Sequence, residues 1–385
     1  MARKTIALVG AYERDNFGDL LFALITKRFL TEYDVVFTSP LSGSADKILG
    51  QEVFNYRSIF SRPSAVDALW TVGGHVGGAR PNSPASNYPG RPKESLDGIE
   101  SPYLPRPSKY PQIANVPYVI NSVSFGGVLR TDPTIRAYSR AAVSEADVVS
   151  VRDRSSSETL EAWGVPYLGS PDLVHTISEF MKRPAKTGEV VIQFSDSYFD
   201  DSGLEEFGRW IANEELINSK QICLLIAGTA PNHDSRELYE RFIHIIHQNN
   251  EKVQVRITDT RDPFELAEII AASSLWIGTS LHGRIIACTY GVPRLSWSKW
   301  KLSSYCSVWD QSMPYDVTIE NISSRVAFAM GSPQDSSGRV NKNRANTNID
   351  SLLARLEDSF QESGAGRLRR RLRSLERFNQ EIQSL

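Results

Sequence analysis

Short β-branched or apolar runs alternate with longer amphipathic stretches from one end of this chain to the other, and that rhythm is the signature of parallel βαβ units. In the first half, Thr5–Val9, Asp34–Thr38, Ala68–Val72, Tyr118–Val123 and Asp147–Val151 read as strands. Gly18–Leu30, Pro133–Glu145 and Ser155–Trp163 read as helices, the last with serines to supply its N-cap. Phe180–Gly188, charged and broken by Pro184 and Gly188, reads as a crossover. A second series follows, with strands at Val190–Phe194, Gln221–Ala227, Val253–Ile257, Leu275–Ile277 and Arg294–Ser296. Its helices are expected at Gly203–Asn213, Ser235–Asn249, Pro263–Ala272 and Leu281–Tyr290. A length of 385 residues also favours two domains, because single cores stop growing at roughly 250–300 residues. The fold class expected is therefore α/β, with two Rossmann-like, doubly wound domains at 1–180 and 187–330, then a polar linker and C-terminal helices at 331–385. Successive halves of this kind imply a cleft, with ligands at the carboxyl ends of the strands.

Charge narrows the function. With 43 Lys+Arg against 45 Asp+Glu and a formal net charge of −2, the chain lacks the cationic excess that gripping nucleic acid over a broad surface needs. Cys223, Cys288 and Cys306 are scattered and odd in number, so they make neither a disulfide framework nor a metal-ligand spacing, and a reducing cytoplasm fits best. The apolar run Ile6–Val9 is too short for a signal-peptide core, and no stretch of about twenty apolar residues reads as a membrane span. Between Arg80 and Pro111 the composition turns to Pro, Ser, Asn, Gly and Tyr, which reads as a long surface loop, either a lid or binding loop or an insertion without a role. The last helix, RLRRRLRSLERF, places Leu368, Leu372 and Leu375 on one side among arginines. It reads first as a helix covering a domain, and second as a peripheral contact with anionic lipid at the inner face of the membrane.

Four turns at predicted strand ends can carry chemistry. Gly10 to Asp19 joins the first strand to its helix. Its glycines do not make a dinucleotide fingerprint, and Asp15, Asn16 and Asp19 either meet ligand hydroxyls or cap the turn. Val72–Gly78 holds Gly73 and Gly74, whose bare backbone suits an anion or a carbonyl, and His75, which reads first as a loop histidine without a catalytic role. Ser150–Ser155 holds Arg152, suited to a carboxylate or phosphate by its planar fork, or else a partner of Asp153 or of an interdomain ion pair. Gly278–Arg284 opens a helix with Ser280, His282 and Arg284 in its first turn, a favourable place for an anion and for proton exchange. Beyond it, Trp297, Trp300, Tyr305 and Trp309 interleave with Lys299 and Lys301, either as a sugar-stacking wall or as core rings.

Taken in order, these pieces resemble the polysaccharide pyruvyl transferase family. The matching residues are Gly10, Asn16, Gly18 and Asp19, then Gly73 and Gly74, then Ser150–Asp153 followed by Ser156, Leu160, Gly164 and Val165. Ser170-Pro171-Asp172, Ser280–Gly283, Ile285, Ala287 and Gly291–Pro293 complete the set, over roughly residues 5 to 297. The resemblance implies a two-domain fold similar to the GT-B glycosyltransferases, and transfer of the pyruvyl group of phosphoenolpyruvate to a sugar as a ketal. It points to His282 and Arg152 as functional positions. Here Ser280 stands where many members carry an arginine, and Arg284 follows the histidine instead.

The donor is a compact anion, so its site needs cations and helix-start amides. In this scheme His282 takes the proton transfer or the phosphate contact. Arg152 and Arg284 clamp the anion, with Ser280, Lys299, Gly73 and Gly74 also on substrate, while Asp15, Asn16 or Asp19 engages acceptor hydroxyls. No metal and no cofactor is expected beyond phosphoenolpyruvate as donor substrate. The acceptor is a sugar of a polysaccharide or of its precursor, soluble or lipid-linked. A nucleotide-sugar glycosyltransferase of the same architecture, and a sugar- or anion-binding protein without turnover, are the competing readings.

Overall fold

A computed structural model describes residues 2–43, 45–81, 100–230, 233–332 and 335–383. The chain divides into two compact units, one of residues 1–15, 19–173 and 344–385, the other of residues 16–18 and 174–343.

The first unit is built on β1 (Thr5–Val9), α1 (Phe17–Phe29), β2 (Asp34–Ser39), β3 (Val53–Asn55), β4 (Ala68–Thr71), β5 (Tyr118–Val123), α2 (Pro133–Ser144), β6 (Val148–Val151), α3 (Arg154–Trp163) and β7 (Leu168–Gly169). Its strands form one parallel sheet in the order β3-β2-β1-β4-β5-β6-β7. β4 and β5 are buried at every position, as expected of central parallel strands covered on both faces. The three-residue β3 and two-residue β7 are edge strands too short to leave a periodic signal.

The second unit holds β8 (Val190–Gln193), α4 (Asp201–Asn213), β9 (Ile222–Leu224), α5 (Arg236–Asn249), β10 (Val255–Ile257), α6 (Pro263–Ala272), β11 (Leu275–Gly278), α7 (Leu281–Thr289), β12 (Arg294–Ser296), α8 (Trp300–Trp309) and α9 (Ile322–Gly331). Its parallel sheet runs β10-β9-β8-β11-β12. Helix starts are fixed by side-chain caps, with Asp153, Ser235, Asp262 and Ser280 each accepting from a first-turn N–H. The aromatic stretch after β12 divides: Trp297 packs in the core, Tyr305 is buried, and Trp300 on α8 is 49% exposed. The safer reading, core rings, holds for the first two.

Two further helices follow, α10 (Ser337–Gln361) and α11 (Gly364–Gln383). Residues 344–383 belong with the first unit, so the C-terminal helices are not a separate segment. The reason lies in the arginines of α11. Arg367 Nε donates to Asp147 Oδ1 at 3.1 Å, and Arg370 binds the same oxygen. Arg371, fully buried, donates to the carbonyls of Ala114 at 2.7 Å and Glu145 at 3.1 Å. The domain-covering reading of this helix is therefore the one the first unit displays, and half of its arginine run faces inward.

The expected surface loop at 80–111 needs a similar correction in its described part. Tyr103 and Leu104 are buried, and Arg106 pairs with Glu145 and Glu100, each at 2.9 Å. Residues 82–99, on which the lid reading mostly rested, lie outside the described residues. Replacing Arg371 with Ala should orphan two buried carbonyls while Asp147 keeps Arg367 and Arg370, so chemical denaturation should register a loss of about 1–3 kcal/mol.

Candidate active site

Parallel sheets bind ligands where the strand order reverses, because the loops there diverge and open a crevice at the carboxyl edge. The first sheet reverses between β1 and β4, and the second between β8 and β11. Three of the four turns singled out from sequence leave these strands: Gly10–Asp19 after β1, Val72–Gly78 after β4, and Gly278–Arg284 after β11; the fourth, Ser150–Ser155, follows β6, away from the reversal. Gln193 closes β8.

At the first reversal, Gly73 and Gly74 have φ of +120° and +105°. A Cβ on Gly73 would lie 2.8 Å from the Phe22 ring, and one on Gly74 would lie 3.1 Å from Asp19 Oδ1, so this loop passes close against the start of α1. Asp15 sits in the left-handed region at φ 42°. His75 shares a 2.9 Å hydrogen bond with Ser124, which agrees with its reading as a loop histidine. Glu13 lies inside the first turn and is a site residue that local sequence pattern does not mark. It is fully buried, accepts from Tyr103 Oη and from Ser39 Oγ, and burial raises its carboxyl above the usual range although Arg14 beside it acts the other way. Sequence shows only a charged residue between Tyr12 and Arg14 at a strand end; its partners lie 26 and 90 residues away.

Arg152 is 1% exposed and bonded to Asp172, with its guanidinium over the Phe22 ring at 5.3 Å from the centroid. Asp172 was visible only as part of the Ser-Pro-Asp piece. Because both partners of this pair are buried, an Arg152→Ala variant leaves the Asp172 carboxylate without it. Removing one partner of a buried ion pair costs about 3–5 kcal/mol, and a thermal melt of Arg152→Ala should show that loss before any assay does.

At the second reversal, residues 16–18 and the start of α7 come together. Asn16 Oδ1 accepts from Gly18 N at 3.0 Å, and Phe17 N donates to Ala227 O at 2.9 Å. The His282 ring, 4% exposed, lies directly on Gly18: a Cβ there would fall 1.7 Å from His282 Nδ1. Phe17 meets the same ring edge-on, with centroids 6.4 Å apart. Gly283 is required in turn, since a Cβ would overlap the Trp276 ring at 2.2 Å. The Asn16 and Gly18 turn and the Ser-Leu-His-Gly turn, 266 residues apart at their Gly18 and Arg284 ends, are thus one piece of structure.

Beneath this turn lies a network that the sequence did not single out. Gln193 Oε1 accepts from Ser280 N at 2.8 Å and from Thr279 N at 3.2 Å, and its Nε2 donates to Asp234 Oδ1 at 2.8 Å. Asp234 also accepts from Ala227 N at 2.6 Å, and burial pushes its carboxyl up to about 7. Two helix-start amides expected to meet an anion are therefore engaged by Gln193. Ser280 acts as the N-cap, accepting from Gly283 N at 3.2 Å. Lys299 Nζ, half-buried, donates to Ser195 Oγ at 3.1 Å and lies 5.0 Å from the Tyr198 ring centroid, and burial lowers its ammonium below the usual range.

Arg284 is the clear departure. It is 1% exposed and turned into the unit, donating to Asp310 Oδ2 at 2.7 Å and to the carbonyls of Pro314 and Met313 at 2.7 and 2.8 Å. Its donors are engaged within the core, so it is a structural staple and not an anion clamp.

Asp234 gives a pH test. A carboxyl whose folded value is raised from 3.8 to about 7 favours the folded state while protonated; that contribution is complete below about pH 4 and lost as pH rises towards 7. Asp234→Asn should flatten this part of the stability curve, read as the difference in Tm between pH 5 and pH 8.

Solved structures share this architecture at low identity. UDP-GlcNAc 2-epimerase from Methanocaldococcus jannaschii is 9% identical over 91% of this chain and 99% of its own, with a TM-score of 0.56. Sucrose-phosphate synthase from Thermosynechococcus elongatus is 14% identical over 97% and 100%, at 0.53. UDP-N-acetylglucosamine 2-epimerase from Rickettsia bellii is 10% identical over 94% and 98%, at 0.56. The fold is thus the two-domain α/β fold of GT-B glycosyltransferases and sugar-nucleotide epimerases. No curated protein matches the sequence. The family model for polysaccharide pyruvyl transferase matches residues 16–296, and the chain belongs to that family.

Proposed function

We propose that this protein transfers the pyruvyl group of phosphoenolpyruvate onto two hydroxyls of one sugar, in a polysaccharide or its soluble or lipid-linked precursor, with release of phosphate. Family membership supports a transferase of this class. The observation that carries the reading further is His282, a histidine seated on Gly18 at the reversal point of the second sheet.

The chemistry asks for a proton on the methylene carbon, which makes C2 electrophilic. One acceptor hydroxyl then adds to C2 and gives up its proton, the C2–O bond to phosphate breaks, and a second hydroxyl of the same sugar closes the ketal, again losing its proton. In this scheme His282 moves a proton between the donor and the acceptor hydroxyls. With Arg284 withdrawn into the core, Lys299 becomes the cation for the carboxylate or phosphate, and the Leu281 and His282 amides of the α7 start add to it. Arg152, buried and bonded to Asp172, takes a positioning role in the first unit rather than a contact to the donor. Asp15, Asn16 and Asp19 are assigned to acceptor hydroxyls, and Gly73 and Gly74, the latter bridged to Val123, are kept as proposed substrate contacts of the first unit. Phosphoenolpyruvate is consumed as the donor substrate.

The test is incubation with phosphoenolpyruvate and a panel of β-galactosides, glucosides and N-acetylhexosamine lipids. Phosphate release that depends on acceptor, with a mass gain of pyruvate less water, is expected. His282→Ala should lower turnover by at least about 10²-fold, as loss of a general acid or base does. Lys299→Ala should chiefly raise KM for the donor. Turnover of nucleotide sugars instead, or binding without turnover, would overturn the reading.

A further inference from the structure

The arginines of α11 suit a domain cover or a lipid contact by their sequence alone. Their arrangement in the first unit suggests a different role. Between α2, the amino end of β6, the turn at Gly164–Pro166 and α11 lies a groove of about 1020 Å³. It sits at the amino-terminal edge of the first sheet, opposite the carboxyl edge where the reversal-point turns lie. Arg140, Arg370, Arg373 and Arg377 line it, together with Trp163 and Phe378.

Its carboxylates are already taken. Asp147 is held by Arg367, Arg370 and Arg371, and Glu381 faces Arg140 at 3.7 Å. Arg373 and Arg377 are exposed and make no ion pair among the described residues, and the Nε of Arg370 is buried without a hydrogen-bond partner among them. Four guanidinium groups against two engaged carboxylates leave the groove cationic. Arg373 and Arg377 stand one helical turn apart on a helix that Arg367 and Arg371 pin to the domain, so both side chains leave the same face of one anchored wall. The half-exposed Trp163 ring, braced edge-on by Phe125, supplies an apolar wall. A concave site of this size, with aromatic lining and two guanidinium forks, matches a small phosphorylated ligand better than a flat lipid surface.

We propose that this groove is a second binding site, for a small soluble ligand bearing a phosphate or diphosphate, with Arg373 and Arg377 as its anion contacts. It is independent of the proposed reaction. The test is calorimetric titration of the full chain with inorganic pyrophosphate at about 50 and 200 mM salt, the range over which charge screening strengthens. Wild type should bind, more weakly at the higher salt, and the double variant Arg373→Gln/Arg377→Gln should bind at least about tenfold more weakly. Both residues are exposed, and Arg373→Glu alone, checked for an unchanged melt, gives a second reading. Vesicles of phosphatidylglycerol and phosphatidylcholine form the other arm. Absence of pyrophosphate binding, or binding equal in wild type and variants, overturns the site. So does vesicle binding that depends on these arginines in a chain that ignores pyrophosphate, because it assigns them to a lipid surface.

Discussion

A histidine ring resting on a glycine is the contact on which the candidate site depends. Gly18 has no side chain, and the space a methyl group would take is filled by His282. That contact fixes where the imidazole stands against the turn of residues 16–18, and the Asn16 side chain holds the turn's own shape by accepting from Gly18 N. Below it, Asp234 and Gln193 hold the loop that opens α7. The imidazole is thus positioned by packing above and by a hydrogen-bond chain beneath, which is the kind of rigidity that proton transfer between fixed partners requires.

The cations divide into two kinds, and burial tells them apart. Arg152, Arg284, Arg367 and Arg371 are all buried and bonded to carboxylates or carbonyls of their own unit. An arginine brings five donors in a fixed plane, so it satisfies several buried acceptors at once and serves well as a staple. Lys299, Arg373 and Arg377 remain at surfaces where a ligand can reach them. Net charge near neutrality is compatible with both uses, because the anion sites are local.

Much of the fold was legible because parallel strands covered on both faces leave continuous apolar runs. The runs at Thr5–Val9 and Tyr118–Val123 appear in the structure at the expected bounds. Edge strands β3 and β7 are too short to read, and α8 was hidden because its aromatic residues suggested a wall before they suggested a helix. Within the site, Ser280 and Asn16 could be placed at helix starts from local patterns. Arg152 and Arg284 could not be told from ligand contacts, since their carboxylate partners Asp172 and Asp310 lie 20 and 26 residues away. Gln193 and Asp234, 41 residues apart, form a pair that only the folded sheet brings together.

The most direct measurement is the NMR response of the His282 imidazole to phosphoenolpyruvate, with its resonances assigned by comparison with a His282 variant. A donor site at the second reversal point predicts a saturable shift of those resonances as phosphoenolpyruvate is added. Resonances of His282 that stay fixed while the enzyme turns the donor over would contradict it.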